Sequence, residues 1–205
     1  MTTLFEYTGA ELDELCQKDE TLAAYIKTAG RINRQIDPDA FASLISSIVG
    51  QQISNKAFAT VWQRFYNLAG EITPRGVAAM TAEQIQSCGM SFRKAGYIKN
   101  AADKAVSGEV DFDALREKSD ADVIKTLTTL SGVGRWTAEM LLIFSFGRKD
   151  VFSAGDFGLR RGAGILYGLE GLADEPFMKE LGGRYSPYGS VASLYLWKLS
   201  EETGR

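Results

Sequence analysis

Apolar residues recur at helical spacing over most of this chain, and nowhere do they alternate with polar ones for long. Phe41, Leu44, Ile45 and Ile48 fall at i, i+3, i+4 and i+7, the stripe of an amphipathic helix that buries one face. Asp37-Pro38-Asp39 stands just ahead of that stripe, where a carboxylate can accept the first N–H groups of a helix. Leu12, Leu15, Leu22, Ala23 and Ile26 predict one helix over residues 9–29, with Gly30 as its stop. A further helix is expected from Asn55 to Leu68, with Ala57, Val61, Trp62 and Phe65 inward. Pro74 opens a short one. Thr81-Ala82-Glu83-Gln84 reads as a capping box for the next, which Gly89 ends, and Ser91 opens a longer one over residues 92–107. Ser119, with Asp122 three positions on and Val123, Leu127 and Leu130 at helical spacing, predicts a helix over 119–129; residues 137–146 are apolar enough for a buried one. The pattern describes an all-α chain of about ten helices with no internal repeat.

Between the last two of these helices lie Gly132 and Gly134, flanking one small apolar residue. Glycine tolerates positive φ, so the connection can be very tight and its N–H groups can approach a partner closely. Those N–H groups stand at the N-terminus of the second helix, where the macrodipole favours an anion such as a phosphate oxygen. Two glycines alone are equally the mark of an ordinary helix–turn–helix corner.

Composition narrows the chemistry. With 205 residues, 45% of them hydrophobic and 24% charged, the chain can bury a sizeable core and is not of disordered type. Histidine is absent and there are two cysteines, Cys16 and Cys88. That removes every Ser–His or Cys–His mechanism, iron–sulfur clusters and tetrahedral zinc. The cysteines are expected to be small buried thiols. No apolar run is long enough to span a bilayer and the first residues carry no export signal, so the expected compartment is the cytoplasm, at a bacterial or archaeal nucleoid, with no membrane partner. A net charge of −3 argues mildly against a broad nucleic-acid footprint. Local basic groups remain: Arg31/Arg34, Arg93/Lys94/Lys99, Arg148/Lys149 and Arg160/Arg161. Each is an ordinary solvated face when taken singly.

Leu130-Ser131-Gly132-Val133-Gly134-Arg135-Trp136-Thr137-Ala138 resembles the helix-hairpin-helix of the DNA glycosylase superfamily, and Asp156 follows Gly134 by 22 positions (156 − 134), where that superfamily carries a catalytic aspartate. The run from Asp150 to Gly162 is similar to the corresponding segment of the 3-methyladenine DNA glycosylase II (AlkA-type) family. Ile48-Val49-Gly50-Gln51-Gln52-Ile53-Ser54 and Gly89-Met90-Ser91-Phe92-Arg93-Lys94-Ala95 resemble two further elements of that family. The resemblance implies a helix-hairpin-helix glycosylase fold: two helical subdomains, about 35–115 and about 116–205 plus the N-terminal helix 9–29, around a cleft, without the N-terminal β-domain of longer members.

The same resemblance implies the roles. Asp156 is the catalytic carboxylate, stabilising the oxocarbenium character that grows on the sugar as the base departs; it can equally be the N-cap of the helix that follows, and the two roles are compatible. Trp136 stands where lyase-competent relatives place a lysine, and an indole cannot form a Schiff base, so the expected reaction is monofunctional hydrolysis. Trp136, Met140, Tyr185 and Trp197 are implied substrate-binding residues. Electron-rich rings suit alkylated purines, which carry positive charge. Tyr185 and Tyr188 stand where many members have tryptophans, Gly189 where an arginine is common, and Met140 at a position often aromatic. Gln51, Gln52, Gly132, Gly134 and Arg135 are implied DNA-binding residues, with Gln52 at the position that fills the gap left by a flipped nucleotide. The backbone carbonyls of Thr128, Leu130 and Val133 correspond to a site for a Na+ or K+ ion; no cofactor is required.

The expected function is excision of alkylated purines of the 3-methyladenine and 7-methylguanine type from double-stranded DNA, by a monomer, in base-excision repair. A glycosylase for deaminated or ethenoadenine bases, and a non-catalytic helix-hairpin-helix DNA-binding module, are the alternatives.

Overall fold

A computed structural model describes residues 3–203. Twelve α-helices and one 3-10 turn appear among them: α1 (Gly9–Lys18), α2 (Glu20–Ala29), α3 (Ala40–Gly50), α4 (Asn55–Ala69), α5 (Pro74–Ala78), α6 (Ala82–Ser87), α7 (Phe92–Val106), the turn Ala114–Glu117, α8 (Asp120–Leu127), α9 (Arg135–Phe144), α10 (Phe157–Leu166), α11 (Glu175–Tyr185) and α12 (Gly189–Glu202). The expected helical class is the observed one. Strands β1 (Thr3–Leu4) and β2 (Gln35–Ile36) form one antiparallel pair, Thr3 opposite Ile36, and two residues each are too few to show an alternation. No helix among the described residues is long and apolar enough to cross a membrane.

Polar side chains start nearly every helix where the sequence places them. Asp39 accepts from the Ala42 N–H at 2.9 Å, Ser119 from Asp122, and Thr81 and Gln84 complete a reciprocal capping box. The expected single helix over 9–29 is instead two. Asp19 sits in extended backbone and its carboxylate caps α2 through the Leu22 N–H at 2.8 Å, so a side chain that competes for backbone donors breaks the helix. Along α4 only Phe65 is fully buried. Ala57 is exposed, and Trp62 lies between Phe58 and Phe65, stacked on the former at 6.1 Å. Cys88 is buried but Cys16 only half-buried, and both are free thiols, raised in pKa by burial.

The chain divides into two compact units, residues 37–141 and residues 1–36 with 142–205. The expected boundary near residue 115 is therefore displaced to the middle of α9. Its reason is visible in the 37–141 unit: the connection between α8 and α9 is tied to α7, with the Ser131 N–H donating to Asn100 Oδ1 at 3.0 Å and the Tyr97 ring packed against Gly132. Leu44, Ile45, Ile48, Ala95, Ile98, Leu115, Val123 and Leu127 are fully buried in that unit. In the other, α10 packs on α12, and α12 also meets α2.

Candidate functional site

The 37–141 unit presents the hairpin. Gly132 has φ +78°, and a Cβ there would lie 2.1 Å from Tyr97 Cδ2, so both backbone and packing require glycine. Gly134 differs: a Cβ would meet nothing within 4 Å. The protein itself has no need of a glycine there, and the open backbone leaves room for a ligand at the start of α9. The Gly134 carbonyl accepts from the Ala138 N–H at 3.1 Å, which makes Gly134 the first residue of the helical ladder. The N–H groups of the turn just inside it are those an α-helix cannot satisfy for itself, and they carry the positive end of the dipole. Arg135 has a 74% exposed side chain whose Nε donates to Glu139 Oε1 at 2.7 Å; this holds the guanidinium at the hairpin's edge.

The turn after α3 lies in the same unit. Gln51 Nε2 donates to the Gly132 carbonyl at 3.0 Å, so this side chain is turned inward onto the hairpin. Gln52 takes φ +56° and is exposed, and Ile53 beside it is 37% exposed. The tip of the turn is thus one flat polar and one branched apolar side chain. Of the basic group on α7, Lys94 donates to the Val49 carbonyl at 2.8 Å and to that of Gln51, its pKa lowered by burial, and Lys99 to Asp103 and the Ala78 carbonyl. Arg93 remains exposed, against the Tyr97 ring. Trp136 is 49% exposed and lines a recess of about 550 Å3 with Phe58, Gln52 and the Ser43, Ser46 and Ser47 face of α3.

Asp156 lies in the other unit, 9% exposed. Its Oδ1 accepts from the Leu159 N–H and from Trp197 Nε1, each at 2.8 Å. The carboxylate is therefore both the N-cap of α10 and the acceptor of an indole donor from α12. Glycine allows that contact, because a Cβ at Gly158 would stand 2.9 Å from Trp197 Cδ1. Phe144 lies 5.5 Å from Trp197, centroid to centroid, and the Arg34 guanidinium 4.9 Å above Phe144. A carboxylate aimed by two donors can stabilise a developing cation, and its geometry is set before any substrate arrives.

Two of the expected pocket residues are placed differently. Met140 is buried, and Tyr185 is wholly buried with its hydroxyl 2.7 Å from that of Tyr167. Tyr167 donates in turn to Asp19 Oδ2 at 2.5 Å, which also accepts from Arg184 at 2.8 Å. Burial pushes Tyr185 and Tyr167 upward. Burial alone would raise Asp19 too, but the bonds from Tyr167, Leu22 and Arg184 outweigh it and hold its pKa below the ordinary value. Tyr185 is in this structure a core residue of a polar network rather than an open wall. Tyr188 donates to Glu14 at 2.8 Å. Sequence reasoning gave no role to Ile53, Phe144 or Gly158, although Ile53 and Gly158 stand inside the family-like segments 48–54 and 150–162.

The helical fold, the two-glycine hairpin and the buried, capped aspartate agree with the helix-hairpin-helix DNA-repair class that the sequence resembles. The model of the HhH-GPD superfamily of base excision DNA repair proteins matches residues 45–187, and the chain belongs to that family. It is 33% identical to DNA-3-methyladenine glycosylase 1 of Schizosaccharomyces pombe over 201 residues, 95% of this chain and 88% of that one. Among solved structures, a DNA-3-methyladenine glycosidase from Bacillus halodurans is similar at TM-score 0.85 and 38% identity, covering 97% of this chain and 92% of that one. The S. pombe enzyme Mag1 in complex with abasic DNA is similar at TM-score 0.84 and 32% identity, covering 95% and 97%.

Proposed function

We infer that this protein is a monofunctional DNA glycosylase that flips alkylated purines, of the 3-methyladenine and 7-methylguanine type, out of duplex DNA and excises them by hydrolysis in base-excision repair. The observation that carries the reading is Asp156, a buried carboxylate fixed by two donors in a chain whose relatives bear the name DNA-3-methyladenine glycosylase. The bond from the sugar C1′ to the base nitrogen breaks, and its electron pair leaves with the base. An alkylated purine already carries positive charge, so it departs as a neutral molecule and needs little further help. The cationic sugar left behind faces the carboxylate of Asp156. Water adds at C1′ and releases one proton to solvent, leaving an abasic site. Trp136 offers no amine to attack the sugar, so the backbone stays intact.

The remaining parts supply grip and access. The N–H groups at the start of α9 and the Arg135 guanidinium hold phosphate, and the Gln52–Ile53 tip fills the space of the extruded nucleotide, as polar and apolar wedges do. Trp197, beside Asp156, offers an electron-rich face to a cationic base, and half-exposed Trp136 offers another within the 37–141 unit. The Thr128, Leu130 and Val133 carbonyls are neutral oxygen donors at a tight turn, a set suited to Na+ or K+ and not to a transition metal; a bound ion would brace the hairpin. The protein acts as a monomer and acts on chromosomal DNA in the cytoplasm.

Base release from methylated duplex DNA tests the reading. Free 3-methyladenine or 7-methylguanine should appear, with strand breaks only after alkali and no borohydride-trapped adduct. Release confined to hypoxanthine or ethenoadenine substrates would shift the assignment to those lesions, and DNA binding without release of any base would leave only a binding module.

A further inference from the structure

Gln52 alone among the described non-glycine residues has a positive φ, +56°. A left-handed conformation with a side chain is strained and persists only where the surroundings hold it. What holds this one is visible on both sides. Behind it, the Lys94 ammonium reaches from α7 to the last carbonyls of α3, donating to Val49 at 2.8 Å and to Gln51; those carbonyls lack helical partners and form the negative end of the dipole. Beside it, Gln51 Nε2 donates to the Gly132 carbonyl at 3.0 Å. Gly132 rests on Tyr97, and the neighbouring Ser131 N–H is held by Asn100. Lys94, Tyr97 and Asn100 are three apart in sequence, on one face of α7, which therefore supports both loops.

We propose that Lys94 and Gln51 are positioning residues that strap the end of α3 to the hairpin and so fix the Gln52–Ile53 tip in the posture that replaces a flipped nucleotide. Neither acts by contacting phosphate: the Lys94 ammonium is engaged with carbonyls, and the Gln51 amide with the hairpin. The strap sets the tip at a fixed offset from the phosphate grip, so a strand seated on the hairpin meets the wedge already in place. The inference rests on the glycosylase reading above, because it assigns the strap to the step of extruding a base.

Flipping is demanded by a duplex and not by a single strand, and this separates positioning from chemistry. Base release should be compared on methylated duplex and on the same DNA as single strands, for Lys94→Met and Gln51→Leu. Each variant should lose about tenfold or more in kcat/KM on the duplex, with a much smaller loss on single strands. Equal losses on both, or no loss on the duplex, would overturn the proposal. Amide hydrogen exchange in the free protein gives a readout independent of catalysis: protection over residues 51–54 and 131–134 should fall together in either variant, and unchanged protection would contradict the strap. Should Lys94→Met not fold, Gln51→Leu, which removes a half-buried tie, decides by both readouts. Should the wild type release no base from either substrate, the glycosylase reading fails while hydrogen exchange still judges the strap.

Discussion

Trp197 Nε1 donates to Asp156 Oδ1 at 2.8 Å, across 41 residues of sequence. The indole thus aims the carboxylate. Hydrogen bonds to charged groups contribute about 1.5–3 kcal/mol. Trp197→Phe keeps a ring and removes the donor, so base release at saturating DNA should slow by about 10- to 100-fold with the DNA dissociation constant little changed. Single-turnover kinetics beside a binding titration check this. A variant with unimpaired release would reduce Trp197 to a packing residue.

Gly158→Ala reaches the same pair from the other side. The added methyl would stand 2.9 Å from Trp197 Cδ1, so the indole must move. Release should fall as in Trp197→Phe, and combining the two substitutions should cost less than the product of their separate effects, because both act through one contact.

The two hairpin glycines should separate stability from binding. Gly132→Ala meets a positive φ and the Tyr97 ring, and should lose at least about 1–3 kcal/mol in denaturant unfolding. Gly134→Ala meets nothing of the protein. It should unfold like the wild type, or slightly later, yet bind DNA more weakly if the proposed phosphate grip at the start of α9 holds, because the methyl would enter that space.

Phosphate contacts show in salt dependence. Arg135→Gln should weaken DNA binding similarly across sequences and reduce the slope of log K against log salt by about 1. An unchanged slope would mean that the guanidinium serves only Glu139.

Asp19 gives a pH prediction. Its pKa is lower in the folded protein than in the unfolded chain, so the unfolded state binds a proton first as pH falls. The stabilisation is complete above the ordinary carboxyl range, near about 4, and is lost as pH drops through the folded value beneath it. Asp19→Asn should lower stability at neutral pH by about 2 kcal/mol and flatten the acid limb of the stability curve.

Much of this was legible in sequence because it is local. Caps announce themselves within four residues, as Asp39 and Thr81 do, and the hairpin glycines and Asp156 stand in two short motifs with 22 positions from Gly134 to Asp156 (156 − 134). What was not legible depends on partners distant in the chain. Asp19 caps α2 locally through the Leu22 N–H, but the partners that also hold its carboxylate, Tyr167 and Arg184, lie 148 and 165 positions away. Tyr185 is buried by the same network. Gln51 turns inward because Gly132 offers a carbonyl 81 residues away. The boundary fell at α9 rather than near residue 115 because α7 anchors the hairpin, and no composition change marks such an anchor.

Asp156→Asn tests the central claim most directly. The amide still offers an oxygen to the Leu159 N–H and to Trp197, so the fold and the cap survive while the negative charge is gone. Base release from methylated duplex DNA should fall by several orders of magnitude, with DNA binding retained. Release at the wild-type rate would contradict the assignment of Asp156 as the catalytic carboxylate.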